Sequence, residues 1–175
     1  MTLPNLTFPN LALRWWCLLS FVVCAGLIGT ALYFQYVMYL DPCPLCIFQR
    51  IVVMVLGVIC LFAFLHNPGG AGRRIYGALL VGVSLAGMGL AGWHVRLQNL
   101  PPDRVPECGP GPDYLFDTLP WIDAVRKVLD GSGECAQVNW VFLGLTIPAW
   151  TLVFFVVTLL FGVYVFRSRP RLPIF

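Results

Sequence analysis

The stretch LDPCPLCIFQR, residues 40–50, places an acid, two prolines, two cysteines and an arginine between two long apolar runs. Whether it is a turn at a membrane edge or part of a soluble core depends on those runs. A helix needs roughly 20 apolar residues to cross the hydrocarbon of a bilayer. Trp15 to Tyr36 before the stretch and Leu45 to Leu65 after it meet that length, as do Ile75 to Val95 and Ile147 to Phe166 further on. The 175-residue chain is 59% hydrophobic and only 11% charged, with a mean hydropathy of +0.81, far from the makeup of a soluble domain. The runs are continuously apolar and lack the alternation of barrel strands. The expected fold is therefore all-α: one membrane domain over residues 1–175, a four-transmembrane-helix bundle with spans at about 15–36, 45–65, 75–95 and 147–166. A single long loop, 96–140, joins helices 3 and 4. The first run is too long for a signal-peptide core and carries only Arg14 in its leader, so it reads as an uncleaved span.

Charge sets an expected orientation. Arg14, Arg73, Arg74, Arg167, Arg169 and Arg171 fall on one side of the four spans, and all eight acids fall on the other. By the positive-inside rule both termini and the turn His66 to Arg74 are cytoplasmic, and the long loop is outside. The net charge of +3 follows from this asymmetry and makes no case for nucleic-acid binding.

Topology sorts the seven cysteines. Cys17, Cys24 and Cys60 lie within spans, where free cysteine behaves as a small buried hydrophobe. Cys43, Cys46, Cys108 and Cys135 lie on the outer side, the compartment in which disulfides persist. Four thiols allow three connectivities. The close-spaced pair can close on itself, which leaves Cys108 to join Cys135 across 26 intervening residues. Stapling a loop is one use for such bridges. It suits Cys43 and Cys46 poorly, because so short a ring gains little from chain entropy. Structural zinc would want a second short-spaced pair, which Cys108 and Cys135 are not; no metal is expected.

Pro44 suits the first turn of a helix. Cys43 and Cys46 then sit at the N-terminus of the second span, where the helix dipole and unpaired amides favour a thiolate. Arg50 lies one turn below Cys46 on the same face; an arginine inside a span faces a partner or a pocket, or else snorkels to the headgroups. His94 ends the third span at the same outer level. A thiol pair that oxidises others must itself be reoxidised, yet the sequence has no haem-attachment motif and no dinucleotide fingerprint. A lipid-soluble quinone fits, with Arg50 and His94 as cofactor-binding residues that stabilise charge on its carbonyls. In the outer loop, PPDRVPECGPGPDY surrounds Cys108 with proline and glycine, favouring exposed extended chain. LPWIDAVRKVLDG carries Trp121, Ile122, Val125, Val128 and Leu129 at helical spacing, for a short helix lying on the membrane or packed over the bundle. Ala78, Gly82 and Ala86, with Gly89 and Ala91, give the third span a small-residue stripe for helix packing. Pro148 is read as the start of the fourth span.

YFQYVMYLDPCPLCIFQR, HVRLQ, the separated Cys108 and Cys135, and FLGLTIPAW, in this order, resemble the bacterial disulfide bond formation protein B (DsbB) family over nearly all four spans. The resemblance implies an inner-membrane, quinone-dependent thiol oxidase that reoxidises a periplasmic thioredoxin-like protein of the DsbA type. Ubiquinone or menaquinone would be its cofactor. It assigns Cys108 and Cys135 to the pair attacked by the partner, Cys43 and Cys46 to the pair reoxidised by quinone, and Arg50 and His94 to the quinone site. Two other readings compete: a vitamin K epoxide reductase-like enzyme, whose Cys-x-x-Cys comes late in the bundle, and a non-enzymatic membrane scaffold with a stapled loop.

Overall fold

The structure is a computed structural model that describes residues 10–105, 118, 120–131, 133–138 and 140–168. Four of its helices are long and apolar enough to cross a membrane. They are α1 (Asn10–Tyr36), α2 (Pro44–His66), α3 (Gly70–Gln98) and α6 (Ile147–Arg167). Between α3 and α6 come a short 3-10 turn at Pro102–Arg104, α4 (Trp121–Asp130), α5 (Gly133–Ala136) and a two-stranded hairpin of β1 (Val141–Phe142) and β2 (Leu145–Thr146). Cys108, and most of the Pro/Gly-rich segment around it, lies outside the described residues.

Local chemistry sets the helix ends. Cys43 is the extended N-cap of α2 and Pro44 takes its first position, where a missing N–H costs nothing. Asn67 closes α2 in the left-handed region, at φ 43°. Thr146 caps α6 with Pro148 in its first turn. In the hairpin, Leu143 at φ 51° and Gly144 at φ 78° supply the two positive φ angles that a two-residue turn requires. Helix α3 outruns the expected 75–95 at both ends, because a helix ends where its caps lie and not where hydropathy falls, so the loop begins after Gln98.

The helices pack in sequence, α1 on α2, α2 on α3, and α3 most extensively on α6, whereas α1 and α6 make no extensive contact with each other. The α3–α6 seam corrects the expected small-residue stripe. Ala78, Gly82 and Ala86 are exposed, and nothing approaches within 4 Å of a Cβ placed at Gly82 or Gly89. The packed stripe is Gly77, Leu80, Ser84, Gly87 and Ala91, all buried. A Cβ at Gly77 would lie 2.6 Å from the Phe166 nitrogen, and one at Gly87 2.5 Å from the Phe155 ring. Ser84 adds a hydrogen bond to Thr158 at 3.0 Å. Both faces of this helix are apolar and rich in small residues, so four-residue spacing alone does not say which face meets a neighbour. Cys17, Cys24 and Cys60 are buried as expected of packing residues, with Cys24 against Gly57 where α1 meets α2. In α4, Val128 is buried on Phe48 of α2 while Ile122 and Leu129 point outward, so the helix is docked on the bundle and still carries an apolar outer face.

Candidate redox site

The site grows from the first turn of α2. The Cys43 carbonyl accepts from the Cys46 amide at 3.0 Å, which starts the helix and brings both side chains to one edge. Their sulfurs are 3.3 Å apart, with the Cys43 thiol donating to Cys46 Sγ, so the pair is present as two thiols. The close spacing of the two cysteines in sequence thus becomes a contact.

Two other elements deliver residues to Cys43. Helix α3 brings His94, buried a full turn inside the helix end, with Nε2 3.7 Å from Cys43 Sγ. The short α5 brings Cys135, completely buried, whose thiol is hydrogen-bonded with that of Cys43 and is walled in by Leu45 and Leu97. The Cys135 thiol draws the pKa of Cys43 down, but the hydrogen bond to Cys46, together with burial, outweighs it and pushes the thiol up from 9.0 to about 12. Cys43 therefore holds its proton, and Cys46, the acceptor of that hydrogen bond beside the helix N-terminus, is the sulfur placed to carry charge.

Of the six expected site residues, Cys43, Cys46, Cys135 and His94 form one cluster, and Cys108 lies outside the described residues. Arg50 stands one turn along α2, tied to α1 through Gln35 Oε1 and, at 3.2 Å, the Ala31 carbonyl. The guanidinium is thus engaged by protein groups. Cys43, Cys46, Arg50 and His94 share the wall of a cavity of about 1070 Å³. Its apolar lining comes from Ile28 and Phe34 of α1, Val53 of α2 and Phe154 of α6. Aromatic rings at and beside the hairpin also line the cavity: Trp140 packs on Phe34 at 5.3 Å and stacks on Phe142 at 5.7 Å, and Trp150 donates to the Phe142 carbonyl at 3.1 Å.

Residue types and spacing did not point to the glutamines. Gln49, buried, places its amide nitrogen 3.1 Å from His94 Nδ1, and Gln35 holds Arg50. The available signal was their position: an uncharged amide inside an apolar span still needs a partner, as an arginine does. The ligand atoms of Cys43, Cys46 and His94 lie within 4.8 Å of one another, a spacing that would also suit a cation. His94 Nε2, however, faces the Cys135 carbonyl at 3.1 Å. A carbonyl only accepts, so Nε2 carries its proton and has no lone pair to offer a metal in this arrangement.

The family model described as "Disulfide bond formation protein DsbB" matches residues 13–165. Among curated relatives, the "Disulfide bond formation protein B" of Marinobacter nauticus is 49% identical over 160 residues, covering 90% of this chain and 95% of the relative. That of Chromobacterium violaceum is 44% identical over 162 residues, covering 93% and 98%. That of Saccharophagus degradans is 50% identical over 139 residues, covering 79% and 84%. With a four-helix membrane bundle that brings Cys43, Cys46 and Cys135 together at one end, the chain belongs to the disulfide bond formation protein DsbB family of disulfide-forming oxidoreductases.

Proposed function

We propose that this chain is a protein-disulfide:quinone oxidoreductase of the bacterial inner membrane. Both termini are cytoplasmic, the cysteines face the periplasm, and ubiquinone or menaquinone is the electron acceptor. Its substrate is a reduced thioredoxin-like oxidase of the DsbA type. One observation carries the reading: the thiols of Cys43 and Cys46, with Cys135 buried against Cys43, meet at the wall of a large, mostly apolar cavity that also presents Arg50. A cavity of about 1070 Å³ is ample for a quinone ring and the first part of an apolar tail.

The contacts support an order of exchange. A thiolate of the reduced partner attacks the Cys108–Cys135 disulfide at Cys108, and Cys135 leaves as a thiolate. Cys135 is in contact with Cys43, so it attacks that sulfur of the Cys43–Cys46 disulfide and Cys46 leaves as the thiolate. The partner's second thiol displaces Cys108, which attacks Cys135 and restores the loop disulfide. The partner is then oxidised and Cys43 and Cys46 hold the two electrons. A bound quinone supplies the two-electron oxidation that returns this pair to a disulfide. Cys43 holds its proton toward Cys46, and Arg50 holds positive charge on the same wall. The test is thiol titration of the reduced, purified protein before and after quinone is added. Loss of four thiols per chain with excess quinone, two at Cys43 and Cys46 and two more relayed from Cys108 and Cys135, abolished by Cys43→Ser or Cys46→Ser, is expected. A scaffold would show no quinone-dependent loss.

A further inference from the structure

Three groups lie in line through the buried imidazole of His94: the Gln49 amide nitrogen 3.1 Å from Nδ1 on one side, and the Cys135 carbonyl 3.1 Å from Nε2 on the other. The ends of this line fix its middle. A carbonyl has no proton, so the contact with Cys135 is a hydrogen bond only if Nε2 carries one. A neutral ring then has a bare Nδ1, and Nδ1 needs a donor, which the Gln49 amide supplies. With the other tautomer, lone pairs would face each other across 3.1 Å at Cys135, beside a buried ring. Cys135 belongs to a helix of only four residues, set between α4 and the hairpin, with little secondary structure of its own to place it. Its thiol nevertheless lies against Cys43.

We infer that Gln49 is a positioning residue for thiol–disulfide exchange: by holding His94 in the Nε2–H tautomer it secures the main chain at Cys135 and so keeps the Cys135 sulfur against Cys43. The role deepens the relay described above and rests on it, but it concerns the step between the two cysteine pairs and not the reaction with quinone.

The test isolates that step. In the full chain carrying Cys46→Ser and Cys108→Ser, glutathione disulfide oxidises the Cys43 and Cys135 thiols to one disulfide and is reduced to two glutathiones. The equilibrium constant of this reaction reports how well the two sulfurs are held together. Neither quinone nor partner protein takes part, so a chain that fails to reduce quinone and a chain that fails here are distinguishable results. Gln49→Leu keeps the volume and removes the donor; the constant should fall roughly two- to tenfold, the worth of one net hydrogen bond. Gln49→Glu should hold it within about twofold, because a carboxylate accepts from Nδ1–H while Nε2–H still donates to Cys135. A packing role predicts the reverse ranking, with leucine neutral and the buried carboxylate worst. Either leucine at the parental constant or glutamate as low as leucine overturns the proposal. Nitrogen-15 shifts of the His94 ring in the folded parental protein give a second reading that needs no variant at Gln49. The Nε2–H pattern is expected, and a proton on Nδ1 with Nε2 bare overturns it.

Discussion

Removing Arg50 tests both the charge on the cavity wall and the brace that holds it. The guanidinium makes two bonds to α1, one to Gln35 Oε1 and one of 3.2 Å to the Ala31 carbonyl, the second at the long end of the normal range. The Gln35 bond is thus the stronger brace. Loss of a donor that stabilises developing negative charge costs about 2.7–4 kcal/mol, so Arg50→Leu should lower quinone reduction by roughly 10²–10³. Gln35→Leu keeps the charge and releases one charge-assisted bond worth about 1.5–3 kcal/mol in place, which bounds its effect at roughly 10- to 100-fold. Gln35 acts through Arg50, so the double variant should match Arg50→Leu alone and not show the product of the two factors. Arg50→Lys should fall between, since one ammonium cannot reproduce the planar fork that spans both acceptors. The assay is steady-state reduction of a short-chain quinone by the purified protein with reduced partner, with kcat and KM separated and thermal unfolding matched. Parental turnover in Arg50→Leu would remove the arginine from the reaction. A full extra factor from Gln35→Leu in that background would show that the glutamine acts elsewhere.

Other outcomes follow from the same geometry. Mixed with the oxidised partner, Cys135→Ala should accumulate a mixed disulfide formed when the Cys108 thiolate opens the partner's disulfide, detected by mass mapping; trapping at Cys43 would reverse the order of exchange. Gly77→Ala sets a Cβ against the backbone of Phe166 and should destabilise the bundle by about 1–3 kcal/mol in thermal unfolding, whereas Gly82→Ala, facing open space, should be neutral or mildly stabilising. Because the Cys43 pKa is raised to about 12, its alkylation in the dithiol form should keep rising about tenfold per pH unit above pH 9, where an ordinary thiol levels off. The same shift means that the folded dithiol prefers the protonated group: this contribution to stability is complete below pH 9 and is lost as pH climbs toward 12, measurable as a falling unfolding temperature.

The four spans were legible because a bilayer demands unbroken apolar length, a property of the sequence that no tertiary contact can supply. The N-terminal placement of Cys43 and Cys46 was legible for a similar reason, since Pro44 marks a first turn by its own covalent structure. What escaped depends on how elements meet. Gly77 and Gly87, rather than Gly82, face α6, and nothing in a helix with two apolar faces distinguishes them. His94 was expected to serve the quinone; the structure sets its Nε2 against the Cys135 carbonyl, because the short helix α5 packs on α2 and α3. Gln35 and Gln49 carry no redox chemistry and enter only as partners of Arg50 and His94, so they become visible once those side chains have been placed.

The cavity flanked by α1 and α6, two helices that leave each other largely unpacked, has a kinetic consequence. In the proposed relay a reactant dissolved in the bilayer would reach the sulfurs along the plane of the membrane, while a water-soluble protein would reach them from above. Each is therefore governed by its own measure of concentration, moles per area of lipid for one and moles per volume of buffer for the other. Diluting the protein into excess lipid starves the first supply without touching the second, so the same enzyme can be limited at either end depending on how much membrane surrounds it.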